Sequence, residues 1–408
     1  MKQLLFFCSV LASLLLGGSC KGGNDSSDNE NGKDLPGVLP SSTVTKSNPM
    51  KVYVHYMPWF ETPQSSGKWG QHWTMSDCNP DKQDANGKRE IASYYYPLIG
   101  PYASSDATVL NYHVLLMKYS GVDGIMIDWY GTQDKNDYPE IKHNTEELVK
   151  AIERVGLNFA IVYEDATLDG LDDSGKQTQA QADLKYLENI FFKSKYYTKI
   201  ENQPLLMIFG PQQITSPESW KSIFGNSGVS TSFIVLNGFS SKVNNNKVQN
   251  AIGEFLWVNP KPDYSNSSNY TCYIGGAMPG FHDYYQAGGW GDGYPTYDSE
   301  DGALFNRQLD SAQKADLEYL QISTWNDFGE GTNIEPTLEY GYQYLKSLQT
   351  FTGTSYEEEN LEAIYHWYEL KQEYANDKGQ ASEYLTQAFY YFIALQPDKA
   401  IELMNELK

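Results

Sequence analysis

The sequence predicts an α/β chain folded as a (β/α)8 barrel, a TIM barrel, with a C-terminal helical extension. Three observations carry that expectation: eight short apolar runs between residues 50 and 326, helical patterns between several of them, and helical periodicity without strands after Leu348. The runs are Lys51 to Met57, Val122 to Asp128, Leu157 to Tyr163, Pro204 to Phe209, Ser232 to Asn237, Glu254 to Val258, Thr271 to Ile274 and Glu318 to Trp325. Near-continuous apolar runs mark strands buried on both faces, as parallel strands are. Asp106 to Tyr119, His143 to Val155, Gln181 to Phe192 and Ser299 to Ala315 read as the intervening helices, and this alternation is that of a barrel. The sixth and seventh runs are weak and their connections too short for full helices, so an open doubly wound sheet is the alternative. Glu357 to Glu373, Ser382 to Leu395 and Pro397 to Leu407 read as the appended helices.

Residues 1–20 read as an export signal: Lys2, an apolar run from Leu4 to Leu16, then small residues before Cys20. The run is shorter than the roughly 20 residues that span a bilayer. A Cys after small residues resembles a bacterial lipoprotein signal, which implies lipidation at Cys20; ordinary secretion with cleavage near Ser19 is the alternative. Residues 21–48 are rich in Gly, Ser, Asn, Asp and Pro, a flexible tether rather than a core. Its acidic cluster (Asp25, Asp28, Glu30) resembles the surface-export signals of Bacteroidetes lipoproteins. The expected organisation is signal 1–20, tether 21–48, catalytic barrel 49–350 and helical extension 351–408. The expected location is the cell envelope, lipid-anchored in the outer membrane.

Composition narrows the partners. The 408 residues carry 30 Lys+Arg against 52 Asp+Glu, a formal charge of -22, with no dense basic patch. A nucleic-acid groove needs clustered cations, so nucleic acid is excluded. Aromatics make up 14% of the chain, which suits stacking on sugar rings as well as a large core. Cys78 and Cys272 remain after the signal and Cys20; they form one disulfide or stay as buried thiols, and neither has zinc-ligand neighbours. No nucleotide loop, His-Glu-x-x-His or Gly-x-Ser-x-Gly occurs. Neither a cofactor nor a metal is expected, and the Asp-rich stretch 169–175 reads as an exposed loop.

A barrel places its active site at the carboxyl ends of its strands. Here those ends carry acids beside aromatics: His55-Tyr56-Met57-Pro58-Trp59, Asp128-Trp129-Tyr130, Tyr163-Glu164-Asp165, Trp257-Val258-Asn259 and Trp325-Asn326-Asp327-Phe328-Gly329-Glu330. Glycoside hydrolysis requires that combination: one carboxylic acid protonates the leaving oxygen, a second removes a proton or stabilises positive charge, and aromatic walls hold the sugar. Each acid alone reads equally as a helix cap or turn former.

The segment Ser323 to Pro336, with His55 to Phe60, Trp69-Gly70-Gln71-His72-Trp73, and Gly121-Val122-Asp123-Gly124 leading to Asp128-Trp129-Tyr130, resembles the glycoside hydrolase family 99 and family 71 group over about residues 51 to 346. Family 99 acts on α-mannosides and carries two Glu separated by two residues, then Gly-Thr and Ile-Glu; family 71 acts on α-1,3-glucan and carries Trp-Asn-Asp-Tyr-Gly-Glu. This chain combines both patterns. The resemblance implies an endo-acting hydrolase of an α-mannoside first and an α-glucan second, with Glu330 as general acid and Asp327 as base. In family 99 the base takes the proton of the sugar's own 2-hydroxyl, giving an epoxide-like intermediate; Asp327 is one methylene shorter than that Glu, and water-mediated inversion is the other route. Glu335 matches a position outside the acid pair.

Asp128 and Glu164 are candidates for binding sugar hydroxyls, Tyr56, Trp59, Trp73, Trp129 and Trp290 for stacking, His55 and His72 for hydrogen bonding, and Asn326 for substrate contact. For each, a core or rim role is the alternative. The expected partners are a carbohydrate, the membrane through Cys20 and other glycan-uptake proteins. Two other classes stay open: a non-catalytic surface glycan-binding lipoprotein on a decayed hydrolase barrel, and a partner-binding lipoprotein acting through its C-terminal helices.

Overall fold

The fold is drawn from a computed structural model that describes residues 35–407. The expected signal, Cys20 and the first half of the tether, with Asp25, Asp28 and Glu30, lie outside those residues. Eight parallel strands form the barrel: β1 Lys51–Tyr56, β2 Gly124–Trp129, β3 Asn158–Tyr163, β4 Gln203–Ile208, β5 Ser232–Leu236, β6 Ala251–Phe255, β7 Cys272–Ala277 and β8 Tyr319–Ile322. Each pairs with its sequence neighbour, and β1 pairs with β8. β3 pairs with β4 through Ile161–Leu206, Val162–Met207 and Tyr163–Ile208. Every strand therefore has two neighbours, which rules out the open sheet. A two-residue strand, Lys199–Ile200, lies antiparallel against β4.

The period of two sorts the side chains. Tyr53, Met126, Ala160, Val162, Leu205, Met207, Ile234, Phe255 and Ile274 fill the interior, while Val52, Val54, Ile125, Ile127, Phe159, Ile161, Leu206 and Ile208 face the helices. Both faces are dry, which explains the unbroken apolar runs. Truncating Met207, fully buried inside, would cost about 2–5 kcal/mol.

The longer outer helices are α1 Ala107–Tyr119, α2 Tyr138–Val155, α3 Asp173–Ile190, α4 Pro217–Ser227, α5 Ala303–Lys314 and α6 Gln343–Thr352. Helix α4 is absent from the sequence reading, although its caps are legible: Ser216 accepts from the Ser219 amide, Pro217 opens the first turn, and Gly228 ends it at φ 66°. Helix α3 begins well before the expected Gln181, because the Asp172 carboxylate accepts the Gly175 amide at 2.7 Å. Part of the stretch read as a loop is thus helix. After β5 only a one-turn helix, Ser240–Val243, forms. There the Asn244 and Asn245 side chains bond backbone groups of residues 247 to 251 and hold a tight turn instead.

Helices α7 Glu358–Glu373, α8 Gln380–Ile393 and α9 Pro397–Met404 close the chain. Their apolar faces join the core formed by the barrel's outer surface and α1, and the Tyr119 hydroxyl donates to the Phe392 carbonyl at 3.0 Å. Cys78 and Cys272 are free thiols, and Cys272 is part of the barrel interior. Among the described residues no helix is long and apolar enough to cross a membrane.

Candidate active site

One layer above the apolar interior, the same alternation turns polar residues inward. After Tyr53 comes His55, after Met126 comes Asp128, after Val162 comes Glu164, after Phe255 comes Trp257, and after Tyr319 comes Gln321. His55 is fully buried, with Nδ1 3.5 Å from Gln321 Oε1 and its ring edge-on to Trp257 at 4.7 Å. Burial pushes its imidazole down to about 4, so it is neutral at neutral pH. Its Nε2 has no protein partner, and neither does Asp128 Oδ1. Burial pushes the Asp128 carboxyl up. Glu164 is pushed up by burial first, then by the charges of Asp128, Asp165 and Glu330.

The loop after β8 brings two more acids to this layer. Phe328 is fully buried among Phe60 and Trp73 and pins the loop between them. The Asp327 amide donates to Thr324 Oγ1 at 2.7 Å, and the Glu330 amide donates to Asp327 Oδ1 at 3.0 Å. Gly331 leaves the turn at φ 64°, where a Cβ would stand 2.6 Å from the His282 carbonyl oxygen. From the β7–β8 connection, the His282 and Tyr284 amides donate to the carbonyls of Glu330 and Gly329 at 2.9 and 2.8 Å. The Tyr285 hydroxyl meets Glu330 Oε1 at 3.0 Å.

Both acids are pushed above the usual carboxylate range, for different reasons. Burial dominates in each. Asp327 is raised further by the Asp128 charge but restrained by the Glu330 and Gly329 amides, which favour its ionised form; Glu330 feels the Asp327 and Asp283 charges in addition, and only the Tyr285 hydroxyl opposes them. The environment therefore favours the proton on Glu330 and the charge on Asp327.

Three other candidates form an aromatic wall at the mouth. Trp59 stacks on His72 at 4.1 Å and 4° and meets Tyr130 edge-on at 6.4 Å; His72 meets Trp290 at 5.9 Å. Tyr285 lies nearly parallel to Trp290 at 6.2 Å, joining the wall to Glu330. His72 Nε2 stands 3.7 Å from Asp137 Oδ2.

Four of the expected contact residues lie elsewhere. Tyr56 turns outward with Val52 and Val54, and its hydroxyl pairs with His113 Nδ1 on α1 at 3.0 Å. Trp129 faces outward on the same parity and stacks on Tyr186 of α3. Trp73 is fully buried and donates to the Tyr102 carbonyl at 2.8 Å. Asn326 is spent on the backbone, accepting the Met57 amide at 2.8 Å and donating to the Met57 carbonyl at 3.0 Å. These positions bury the side chain, so none offers a face to a sugar. Glu335 is also buried: Tyr102 donates to its Oε2 at 2.6 Å, and His113 Nε2 lies 3.2 Å from Oε1.

Tyr285 and Gln321 were missed by sequence reasoning. Counting by twos from Tyr319 would have found Gln321; Tyr285 sits in an irregular Tyr-rich connection with no local signal. Among the described residues no group of three or more His, Cys, Asp or Glu side chains is arranged to hold a metal ion. A cavity of about 450 Å³ adjoins Tyr285 and Trp290, and one of about 580 Å³ adjoins Trp59, Trp69 and Asp137. A groove of about 940 Å³ lies beside α5 and α6 and contains neither loop acid.

A closed parallel barrel whose mouth gathers buried carboxylates, unequal in environment and walled by aromatics, has the architecture of a glycosidase. The family model for glycosyl hydrolase family 99 matches residues 49–235, which include β1 to β4 and most of β5 but stop before Asp327. Among curated proteins, the glycoprotein endo-alpha-1,2-mannosidase-like protein of Mus musculus is 23% identical over 323 residues, 70% of this chain and 69% of that one. Glycoprotein endo-alpha-1,2-mannosidase of Mus musculus is 22% identical over 335 residues, 74% and 71% of the two chains. Among solved structures, the family 99 endo-alpha-mannosidase of Bacteroides thetaiotaomicron has a TM-score of 0.59 at 18% identity, covering 74% of this chain and 95% of that one. The chain thus resembles the glycoside hydrolase family 71/99-like group, with the family 99 likeness carried by residues 49–235.

Proposed function

We propose that this protein is an endo-acting glycoside hydrolase that cleaves α-mannoside linkages, with Glu330 as proton donor and Asp327 as base. The observation that carries the reading is the acid pair itself: Glu330 is favoured in its protonated form and Asp327, holding two amides, in its ionised form. The mannosidase names of the curated relatives supply the sugar. An α-glucan is the second substrate.

The chemistry follows from those two states. Glu330 gives its proton to the glycosidic oxygen as the bond to the anomeric carbon breaks, so the leaving sugar departs as a neutral alcohol. Asp327 takes the proton of the sugar's 2-hydroxyl, whose oxygen closes on the anomeric carbon. Water then opens that ring, with Glu330 accepting its proton and Asp327 returning one to the 2-oxygen. Asp128 and Glu164, whose carboxyls burial pushes up, hydrogen-bond sugar hydroxyls, and neutral His55 offers Nε2. Trp59 flanks the ring. The proposed setting is the outer membrane, through lipid on Cys20.

The test is product release from α-mannans, α-glucans and host-type glycans by the full chain and by Glu330→Gln. Release by the wild type that the variant loses, with the α-anomer formed first in NMR spectra, supports the scheme. Sugar binding without turnover, unchanged in Glu330→Gln, overturns it in favour of a glycan-binding protein.

A further inference from the structure

The connection between β7 and β8 does more than support Glu330. Among the described residues only three aromatic side chains rank as strongly exposed large hydrophobics: Tyr94, Trp290 and Tyr294, at 44%, 41% and 67%. Two of them, Trp290 and Tyr294, line the same cavity of about 450 Å³, together with Tyr285, Asp292 and Gly293. That volume falls within the roughly 300–1,000 Å³ of small-ligand sites. Aromatic faces gathered around one cavity offer flat planes on which a ring can stack.

The cavity is built, not incidental. Asp283 accepts the Tyr285 amide at 3.0 Å on one oxygen and the Tyr294 amide at 2.7 Å on the other, clamping both ends of the turn. Phe281 and Tyr297 exchange backbone hydrogen bonds at 2.9 and 2.8 Å beneath it. Tyr294 meets Phe281 and Tyr285 edge-on at 6.2 and 6.1 Å, which holds its ring upright. Tyr285 belongs to both places: its ring lines the cavity while its hydroxyl contacts Glu330. One residue therefore separates the cavity from the acid. Asp292 is the sole charged lining residue, and no Lys or Arg lines it.

The geometry points to a second sugar subsite on this connection, adjoining the acid pair, that takes an uncharged sugar unit against Trp290 and Tyr294 and disfavours anionic units. It rests on the proposed glycosidase reading and adds to it a dependence on chain length. Sugar rings stack apolar C–H faces on aromatic planes, while Asp292 accepts hydroxyl hydrogen bonds and repels phosphate or sulfate.

The test compares wild type, Tyr294→Ala and Tyr294→Phe on linear α-1,2-linked manno-oligosaccharides. Tyr294 is exposed, so its truncation leaves folding intact, as thermal melting verifies. The ratio of kcat/KM for the hexasaccharide to that for the disaccharide falls about tenfold in Tyr294→Ala and returns in Tyr294→Phe. An unchanged ratio in Tyr294→Ala overturns the subsite. Calorimetry on Glu330→Gln, with and without Tyr294→Ala, separates the two claims. If wild type hydrolyses nothing, weaker hexasaccharide affinity with Tyr294→Ala still supports the subsite, and equal affinity overturns it. Tighter binding of a phosphorylated than of a neutral oligosaccharide also overturns it.

Discussion

Tyr285 and Glu330 come from different strand ends, yet the tyrosine hydroxyl stands 3.0 Å from the glutamate Oε1. That hydrogen bond is the one interaction holding Glu330 down against burial and the Asp327 charge. Tyr285→Phe removes it, so the Glu330 carboxyl rises further. If Glu330 is the acid, the alkaline limb of the kcat/KM profile moves to higher pH in Tyr285→Phe, while kcat falls. A pH–rate profile of both proteins checks the direction, and a limb that stays in place dissociates Glu330 from that limb.

The acid pair itself gives a larger effect. Glu330→Gln and Asp327→Asn each keep the hydrogen-bonding shape of the loop but lose proton transfer. Each is expected to lower kcat by about 10²- to 10⁴-fold with an unchanged circular dichroism spectrum. Activity within threefold of wild type in either variant would remove that residue from the mechanism.

Burial of Asp128 without a partner for Oδ1 ties stability to pH. Its folded-state affinity for a proton is raised. From the ordinary carboxylate range near about pH 4 upward, the folded chain therefore binds more protons than the unfolded one, and this group's contribution falls as pH rises. In Asp128→Asn that loss is absent. Urea unfolding at about pH 5 and about pH 8 should show the variant gaining on wild type at the higher pH; no relative gain contradicts the assignment.

Glu335 anchors a layer outside the barrel wall, where it contacts Tyr102 and His113, and Tyr102 in turn receives the Asn326 amide at 3.1 Å. Glu335→Ala removes the acceptor of the buried Tyr102 hydroxyl and the oxygen facing His113, and is expected to cost about 1–3 kcal/mol. His113→Ala and Glu335→Ala together should cost less than their sum. A double-mutant cycle by denaturant unfolding reads this, and strict additivity would show that the pair is not coupled.

The sequence by itself determined the barrel and its polar rim. Parallel strands buried on both faces must be apolar almost without interruption, so the eight runs stood out. The first inward residue past each apolar layer is fixed by a period of two, which made His55, Asp128 and Glu164 legible. The Asp327–Glu330 spacing was legible too, because glycines and aromatics mark the turn. What tertiary structure alone decided was direction and long-range contact. Tyr56 and Trp129 sit beside inward-facing residues, but their parity sends them outward to α1 and α3. Trp73 lies in a one-turn helix, Gln71–Thr74, and Asn326 in a loop, both too short for a period to predict orientation, and packing consumed both. Tyr285 reaches Glu330 from 45 positions away in the chain, through an irregular connection whose course is set by backbone hydrogen bonds to the loop it supports. Local patterns fix which residues form a wall; only closure of the chain decides which of them face the same space.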